Sequence, residues 1–307
     1  MAIKGERVGR FALQRRLGAV MEGELWKARD DAGHVAALKL FYSAEWASVL
    51  QATGLPEIPH HVNLCALMDG DLAGSPPWVA TELHEGATLA EILASTRYVP
   101  LAAAIPTIIQ TVRGLAALHK AGLAHLDLRP SNVLLDERGC VRLREVQTPG
   151  YRREVLRRLF DRARPLAAEG VEEMKQYAPP EERRGEVSGA AADVYALGLL
   201  IYEMLVGERP EGFELRLPSQ RDKRIPKVID EIVLGSLERS VRARLPDAMA
   251  IEPKLLEGLE KTGFHVFPKG DPVTWVKLTP WRDAGKPVGE ETGRFTSIFR
   301  KLAGRKE

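Results

Sequence analysis

The spacing of apolar residues changes once along this chain, and that change restricts the fold more than any single motif. Before residue 83 the apolar residues come in short strand-like runs: Phe11-Ala12-Leu13, Glu24-Leu25-Trp26-Lys27-Ala28, Val35-Ala36-Ala37-Leu38-Lys39-Leu40 and Trp78-Val79-Ala80-Thr81. Gly and Asp-Asp-Ala-Gly turn signals divide the first three, which predicts an antiparallel meander. Residues 43–53 carry one short helical pattern. From Thr88 onward the period is helical, as in Ile105, Ile108, Ile109, Val112, Leu115 and Leu118. A β-rich part followed by a larger α-rich part predicts an α+β, two-lobed molecule with a ligand cleft between the lobes.

Composition closes off several alternatives. The 307 residues are 45% hydrophobic and 28% charged, so the chain can bury a core and is not disordered. A net charge of +2 gives no general attraction to nucleic acid or acidic membranes, and no nucleic-acid partner is expected. Cys65 and Cys140 have no metal-ligand spacing and sit in apolar runs, so buried free thiols in a reducing compartment are expected. With no signal peptide and no apolar run read as long enough to span a bilayer, the expected setting is cytoplasmic. After about Gly263 the pattern changes. Phe264-His265-Val266-Phe267 and Val273-Thr274-Trp275-Val276-Lys277-Leu278 read as two short strands. The basic end, 293–307, carries Phe295, Ile298, Phe299 and Leu302 at helical spacing. An ordered appendage on the second lobe is the simpler expectation, a partner-docking tail the other.

Several motifs occur in a fixed order. His125-Leu126-Asp127-Leu128-Arg129-Pro130-Ser131-Asn132 brings a carboxylate, a guanidinium and a carboxamide close together. Ahead of it stand Leu17-Gly18-Ala19-Val20-Met21-Glu22-Gly23-Glu24-Leu25 and Ala36-Ala37-Leu38-Lys39. Behind it come Tyr177-Ala178-Pro179-Pro180-Glu181, a long apolar helix pattern from Asp193 to Pro210, and Arg244. Over about residues 8–260 this order resembles bacterial protein kinases of the eukaryotic-like (Hanks-type) Ser/Thr kind. The resemblance implies a bilobal kinase-like domain over 1–262, with the N-lobe at about 8–83 and the C-lobe at about 84–262, and an appendage over 263–307.

The same resemblance assigns roles. Gly18 and Gly23 fall on the loop that covers ATP phosphates, with Val20 in place of the middle glycine. Lys39 falls on the lysine that neutralises the α and β phosphates, and Gln51 on the helix glutamate that normally holds it. Thr81 takes the gatekeeper place, and Glu82, Leu83 and His84 the hinge that meets adenine. Leu25, Ala37 and Leu134 would stack on adenine, resting on Leu200 and Met204. Asp127 takes the place of the residue that accepts the substrate proton, and Arg129 that of the lysine on the γ-phosphate. Asn132 and Glu145 take the magnesium places. Arg244 is expected to pair with Glu181.

Departures from the family pattern cluster on phosphate and metal. Glu145-Val146-Gln147 stands where Asp-Phe-Gly is usual, and Leu126 replaces the arginine before Asp127. Between Glu145 and Glu181 the only Ser or Thr is Thr148, so switching by activation-segment phosphorylation is not expected. Glu145 keeps a carboxylate but adds a methylene, and a shift of about 1 Å in a metal site costs roughly 100-fold. Lys39 is expected to pair with Glu145 rather than with a helix carboxylate. Tyr151, Val155, Leu156, Leu159, Phe160 and Ala163 mark one face of a helix. Arg152, Arg153, Arg157, Arg158, Arg162 and Arg164 mark the others, read as a solvated basic face, with a docking element or a plug over the substrate groove as the alternatives. The leading expectation is a pseudokinase that takes ATP, with magnesium in question, and acts on a protein partner. An active Ser/Thr kinase is the alternative, and a small-molecule phosphotransferase of the aminoglycoside-kinase kind the third.

Overall fold

The computed structural model describes residues 3–161, 163, 170–210 and 215–263. The strands and basic tail expected beyond Gly263, and the two arginines Arg162 and Arg164, lie outside the described residues.

Period-two alternation builds the first lobe. β1 (Arg7–Val8), β2 (Phe11–Val20), β3 (Gly23–Asp30), β4 (Val35–Phe41), β5 (Leu67–Asp71) and β6 (Trp78–Glu82) form one antiparallel sheet in the order β1-β2-β3-β4-β6-β5. In β4, Ala36, Leu38 and Leu40 enter a core with Phe11, Leu13, Trp26 and Trp78. The intervening Ala37 and Lys39 face the cleft, because successive side chains of a strand point to opposite faces. Register then places Lys39 between Leu25 and Val79, and Ala37 between Lys27 and Thr81. Gly23 opens β3 for a packing reason: a Cβ there would lie 2.0 Å from the Leu40 carbonyl oxygen.

Between β4 and β5, α1 (Ala44–Thr53) buries Trp46, Ala47 and Leu50 and leaves Gln51 exposed. The second lobe opens with β7 (Ala87–Thr88) and α2 (Leu89–Thr96). The latter begins in a capping box, in which Thr88 Oγ1 accepts from Glu91 N–H at 3.1 Å and Glu91 accepts from Thr88 N–H at 2.7 Å. Then come α3 (Leu101–Lys120), a 3-10 turn at Pro130–Asn132, β8 (Val133–Leu135) and β9 (Val141–Leu143), with β7, β8 and β9 forming a small sheet. The helices α4 (Pro149–Leu159), α5 (Val171–Tyr177), α6 (Ala190–Val206), α7 (Pro218–Arg221), α8 (Lys227–Ser236) and α9 (Ala248–Glu260) complete it. By length and composition α3 could cross a membrane, contrary to the sequence reading. Here it is a core helix, packed with α6, α8 and α9 side chains.

The central helix α6 is apolar on nearly all sides and is buried accordingly. Its Asp193 is 1% exposed and holds the loop before the 3-10 turn. One oxygen accepts the His125 N–H at 2.6 Å, and the other accepts the Leu126 N–H at 2.7 Å. Leu126 has φ +63°, a left-handed conformation that costs a leucine about 1–2 kcal/mol, and the two hydrogen bonds from Asp193 help keep it there. Among the described residues a third core joins the lobes. Met21, Phe41, Trp46 and Leu50 of the first lobe meet Tyr151, Val155, Leu156 and Leu159 of α4, with Val171 and Met174 of α5.

Candidate active site

Between the lobes lies a cleft of about 590 Å³. The residues that the resemblance assigns to adenine line one part of it. Leu25 and Ala37 lie on the sheet side and Leu134 on the β8 side, with Thr81, Glu82, Leu83 and His84 along the connecting strand. Leu200 and Met204 are buried beneath, in the core of the second lobe. Cys65 reaches the same wall, where burial pushes its thiol up to about 12. Gly18 lines the cleft and has open space where a Cβ would be, whereas Gly23 is not part of the lining.

Another part of the cleft is organised around charge pairs. Lys39 donates to Glu145, as the sequence reading expected, and Glu145 has φ +66°. Burial alone would push the Glu145 carboxyl up. Lys39, and then Arg144, outweigh it and hold the carboxyl below its usual range. Burial likewise opposes the Lys39 ammonium, but Glu145, with Glu22 and Asp127 behind it, holds it above its ordinary value. Gln51 does not take part. It faces solvent, and its neighbour Leu50 lines the cleft instead, so the helix presents an apolar side chain where the resemblance placed a polar one.

A pH dependence follows from this pair. The folded Glu145 carboxyl sits below its unfolded value of about 4.3, so its ionisation adds stability above that value, and the gain disappears as pH falls through the depressed one. Lys39, raised in the fold, adds stability below about 10.4 that is lost as pH rises through its folded value. Urea midpoints from pH 7 to pH 3 are expected to fall less steeply in Glu145→Gln than in the parent chain. Equal slopes would show that Glu145 does not carry the acid arm.

The catalytic-loop groups are bonded to one another. Asp127 is 5% exposed. Its two oxygens accept from Arg129 Nε at 3.2 Å each, from Asn132 Nδ2 at 2.8 Å and from Arg152 Nη1 at 3.4 Å. The Asn132 amide also donates to the Asp127 carbonyl at 2.7 Å. Asp127, Arg129 and Asn132 do not line the main cleft, although Ser131 does. Below Asp127, beside Arg152 and Glu182, only about 10 Å³ of space remains. A general base must reach the proton that it takes, and here the Asp127 carboxylate is engaged by three donors of the protein itself.

One of these partners corrects the sequence reading. Arg152 is not on a solvated basic face: it is 4% exposed and forms an ion pair with Glu182, which is 0% exposed, at 2.6 Å. Its spacing to Leu156 and Leu159, four and seven residues on, was the available signal that it shares the buried stripe. Arg158 also turns inward, its guanidinium 4.0 Å from the Trp46 ring. Glu22, Glu173 and Glu182 were not singled out from the sequence, and nothing in their local spacing marks them. Glu22 is buried at the β2–β3 turn, Glu173 reaches the catalytic loop from α5, and Glu182, in the turn after Glu181, pairs with Arg152 of α4.

The fit to magnesium is poor in this arrangement. Glu145 lies on Lys39, and among the described residues no three His, Cys, Asp or Glu side chains are grouped to hold a metal ion. The side chains assigned to adenine, by contrast, all line the cleft.

Comparison with known proteins agrees with this architecture. The chain is similar to the serine/threonine-protein kinase PknL of Mycobacterium tuberculosis, 30% identical over 61% of this chain and 48% of that protein. It is also similar to PknB of Mycolicibacterium smegmatis, 27% identical over 79% of this chain and 43% of PknB. PknA of Mycobacterium tuberculosis is 29% identical over 66% and 48%. The chain thus spans about half the length of the curated relatives it matches. The protein kinase domain family model matches residues 11–225, which takes in both lobes and every motif from the β2–β3 hairpin to α6. On that match, the chain belongs to the protein kinase domain family.

Proposed function

We propose that this chain is a pseudokinase: a kinase-fold signalling protein that takes an adenine-containing ligand in the cleft and acts by binding a protein partner. The observation that carries the reading is the closed set around Asp127. Arg129, Asn132 and Arg152 bind the carboxylate that would accept a substrate proton, while Glu145 lies on Lys39 instead of facing a metal. Phosphoryl transfer relies on positioning and charge neutralisation, so groups engaged with each other are withdrawn from it. The adenine wall and the folding contacts of the second lobe keep the family pattern, which supports binding as the retained property. In this reading Lys39 and Arg144, with Arg15 and Arg16 of β2, are the cations lining the cleft, and Leu25, Ala37 and Leu134 hold the ring.

The second reading, an active Ser/Thr kinase, is favoured by the retention of Lys39, Asp127 and Asn132 in register and by the relatives' own description as serine/threonine kinases. It requires α4 to leave Asp127. Incubation with radiolabelled ATP and either magnesium or manganese, with a general protein substrate, separates the two. No incorporation above background is expected. Incorporation that disappears in Asp127→Ala would overturn the pseudokinase reading.

A further inference from the structure

Arg129 meets a carboxylate on two sides. Its Nε faces Asp127, and its Nη1 donates to Glu173 of α5. Glu173 is held by two more donors: Oε1 accepts the Ser131 N–H at 3.0 Å, and Oε2 accepts the Ser131 hydroxyl at 2.5 Å. A guanidinium edge, a main-chain N–H and a hydroxyl therefore converge on one carboxylate. That donor set suits a phosphate oxygen cluster equally well. Ser131 stands at the junction, since it also lines the main cleft. Glu173 itself lines a neighbouring cavity of about 400 Å³, which shares Ala90 and Ala94 with the cleft.

The cations of the catalytic loop and of β4 are paired with carboxylates. Lys39 is on Glu145, Arg129 on Asp127 and Glu173, and Arg152 on Glu182 and Asp127. Glu22, 3% exposed, adds another buried carboxylate near Lys39. Arg15, Arg16 and Arg144 line the cleft as further cations; Arg16 lies 3.2 Å from Glu24, and the Arg144 Nε donates to the Ser131 carbonyl at 3.1 Å. A polyphosphate entering here would face carboxylates already matched to the cations, in surroundings where water screens weakly.

We propose that Glu173 is a built-in anion occupying the place of a terminal phosphate, so that the cleft selects adenine ligands of low negative charge, at the nucleoside level, over triphosphates. The inference rests on the reading of the cleft as an adenine site. Glu173 is thereby a specificity-determining residue: it competes for Arg129 and Ser131 and repels what would replace it.

Calorimetric titration of the whole chain with adenosine and with ATP, the latter with EDTA and with magnesium, tests this in the parent and in Glu173→Gln. The parent is expected to bind adenosine at least as tightly as ATP. In Glu173→Gln, which keeps the side chain's size and its access to Ser131, ATP is expected to tighten roughly tenfold, the worth of one charge-assisted contact, with adenosine unchanged. Adenosine binding by the variant shows that it is folded, and the parent's ATP-to-adenosine ratio is decisive without the variant. A parent that prefers ATP tenfold, or a ratio unmoved by the substitution, overturns the role of Glu173 and leaves the adenine reading standing. Failure of the parent to bind either ligand overturns the adenine reading and this inference with it.

Discussion

Arg244→Ala is expected to destabilise the chain by about 3–5 kcal/mol, the typical cost of removing one partner of a buried ion pair. Glu181 and Arg244 are both almost completely buried. Arg244 Nη1 and Nη2 each donate to one Glu181 oxygen, at 2.7 and 3.0 Å, which is the two-pronged geometry that a guanidinium favours. Two further donors are also satisfied: Nη1 reaches the Ala191 carbonyl at 2.7 Å, and Nε the Glu238 carbonyl at 3.0 Å. Ser188 Oγ donates to Glu181 at 2.7 Å, and the guanidinium lies 5.0 Å from the Tyr195 ring. Alanine would leave the Glu181 carboxylate with Ser188 and no cation, and would unpair two main-chain carbonyls. Urea unfolding should show a lower midpoint with an unchanged slope. The double substitution Glu181→Leu with Arg244→Met removes both charges and should recover most of the loss. A loss below about 1 kcal/mol in Arg244→Ala would mean that water reaches the site and that the pair does not tie the activation segment to the second lobe.

Arg152→Ala should cost a similar amount, about 3–5 kcal/mol, with a different pH signature. Glu182 is fully buried, and burial already pushes its carboxyl above the usual range despite Arg152. The folded state therefore binds that proton more tightly than the unfolded chain does, so this group favours folding below the unfolded value and loses that advantage as pH rises through the folded one. Without Arg152 the carboxyl moves further up. The variant should lose stability more steeply than the parent between about pH 4 and 7, starting from the unfolded value near 4.3. Glu182→Gln in the Arg152→Ala background should restore a flatter profile. A single Arg152→Ala with parental stability across this range would return Arg152 to the solvated face on which its sequence alone seemed to place it. The same substitution removes the contact at 3.4 Å from Asp127, so it also tests the closed set on which the functional reading depends.

Several expectations that rested on local pattern or on motif register recur in the structure. The β-type alternation in 35–41 placed Ala37 and Lys39 on one face, and they line the cleft together. The Glu181–Arg244 and Lys39–Glu145 pairs were legible because each motif carries its partner's expected chemistry at a known place in the order. Gln51 failed for a physical reason: its assignment was a count along a short helix. A helix turns 100° per residue, so one position of error exchanges an exposed amide for the buried Leu50. Arg152 failed because charge was taken as a sign of exposure, although a buried arginine needs only a buried acid, and Glu182 lies thirty residues away.

The sequence by itself determined the two lobes, the order of the motifs and the side chains available for chemistry, because periodicity and turn residues act over a few neighbours. Beyond the Glu181–Arg244 and Lys39–Glu145 pairs, the tertiary structure alone decided which charges meet. It joined α1 to α4 through Trp46 and Tyr151, whose rings lie 5.7 Å apart, brought Arg152 of α4 to Asp127, and brought Glu173 of α5 to Arg129. Ion pairs form between whichever groups packing brings within reach. In a buried site of limited volume, that pairing determines whether a carboxylate remains accessible to a substrate or is closed off by the protein's own arginines.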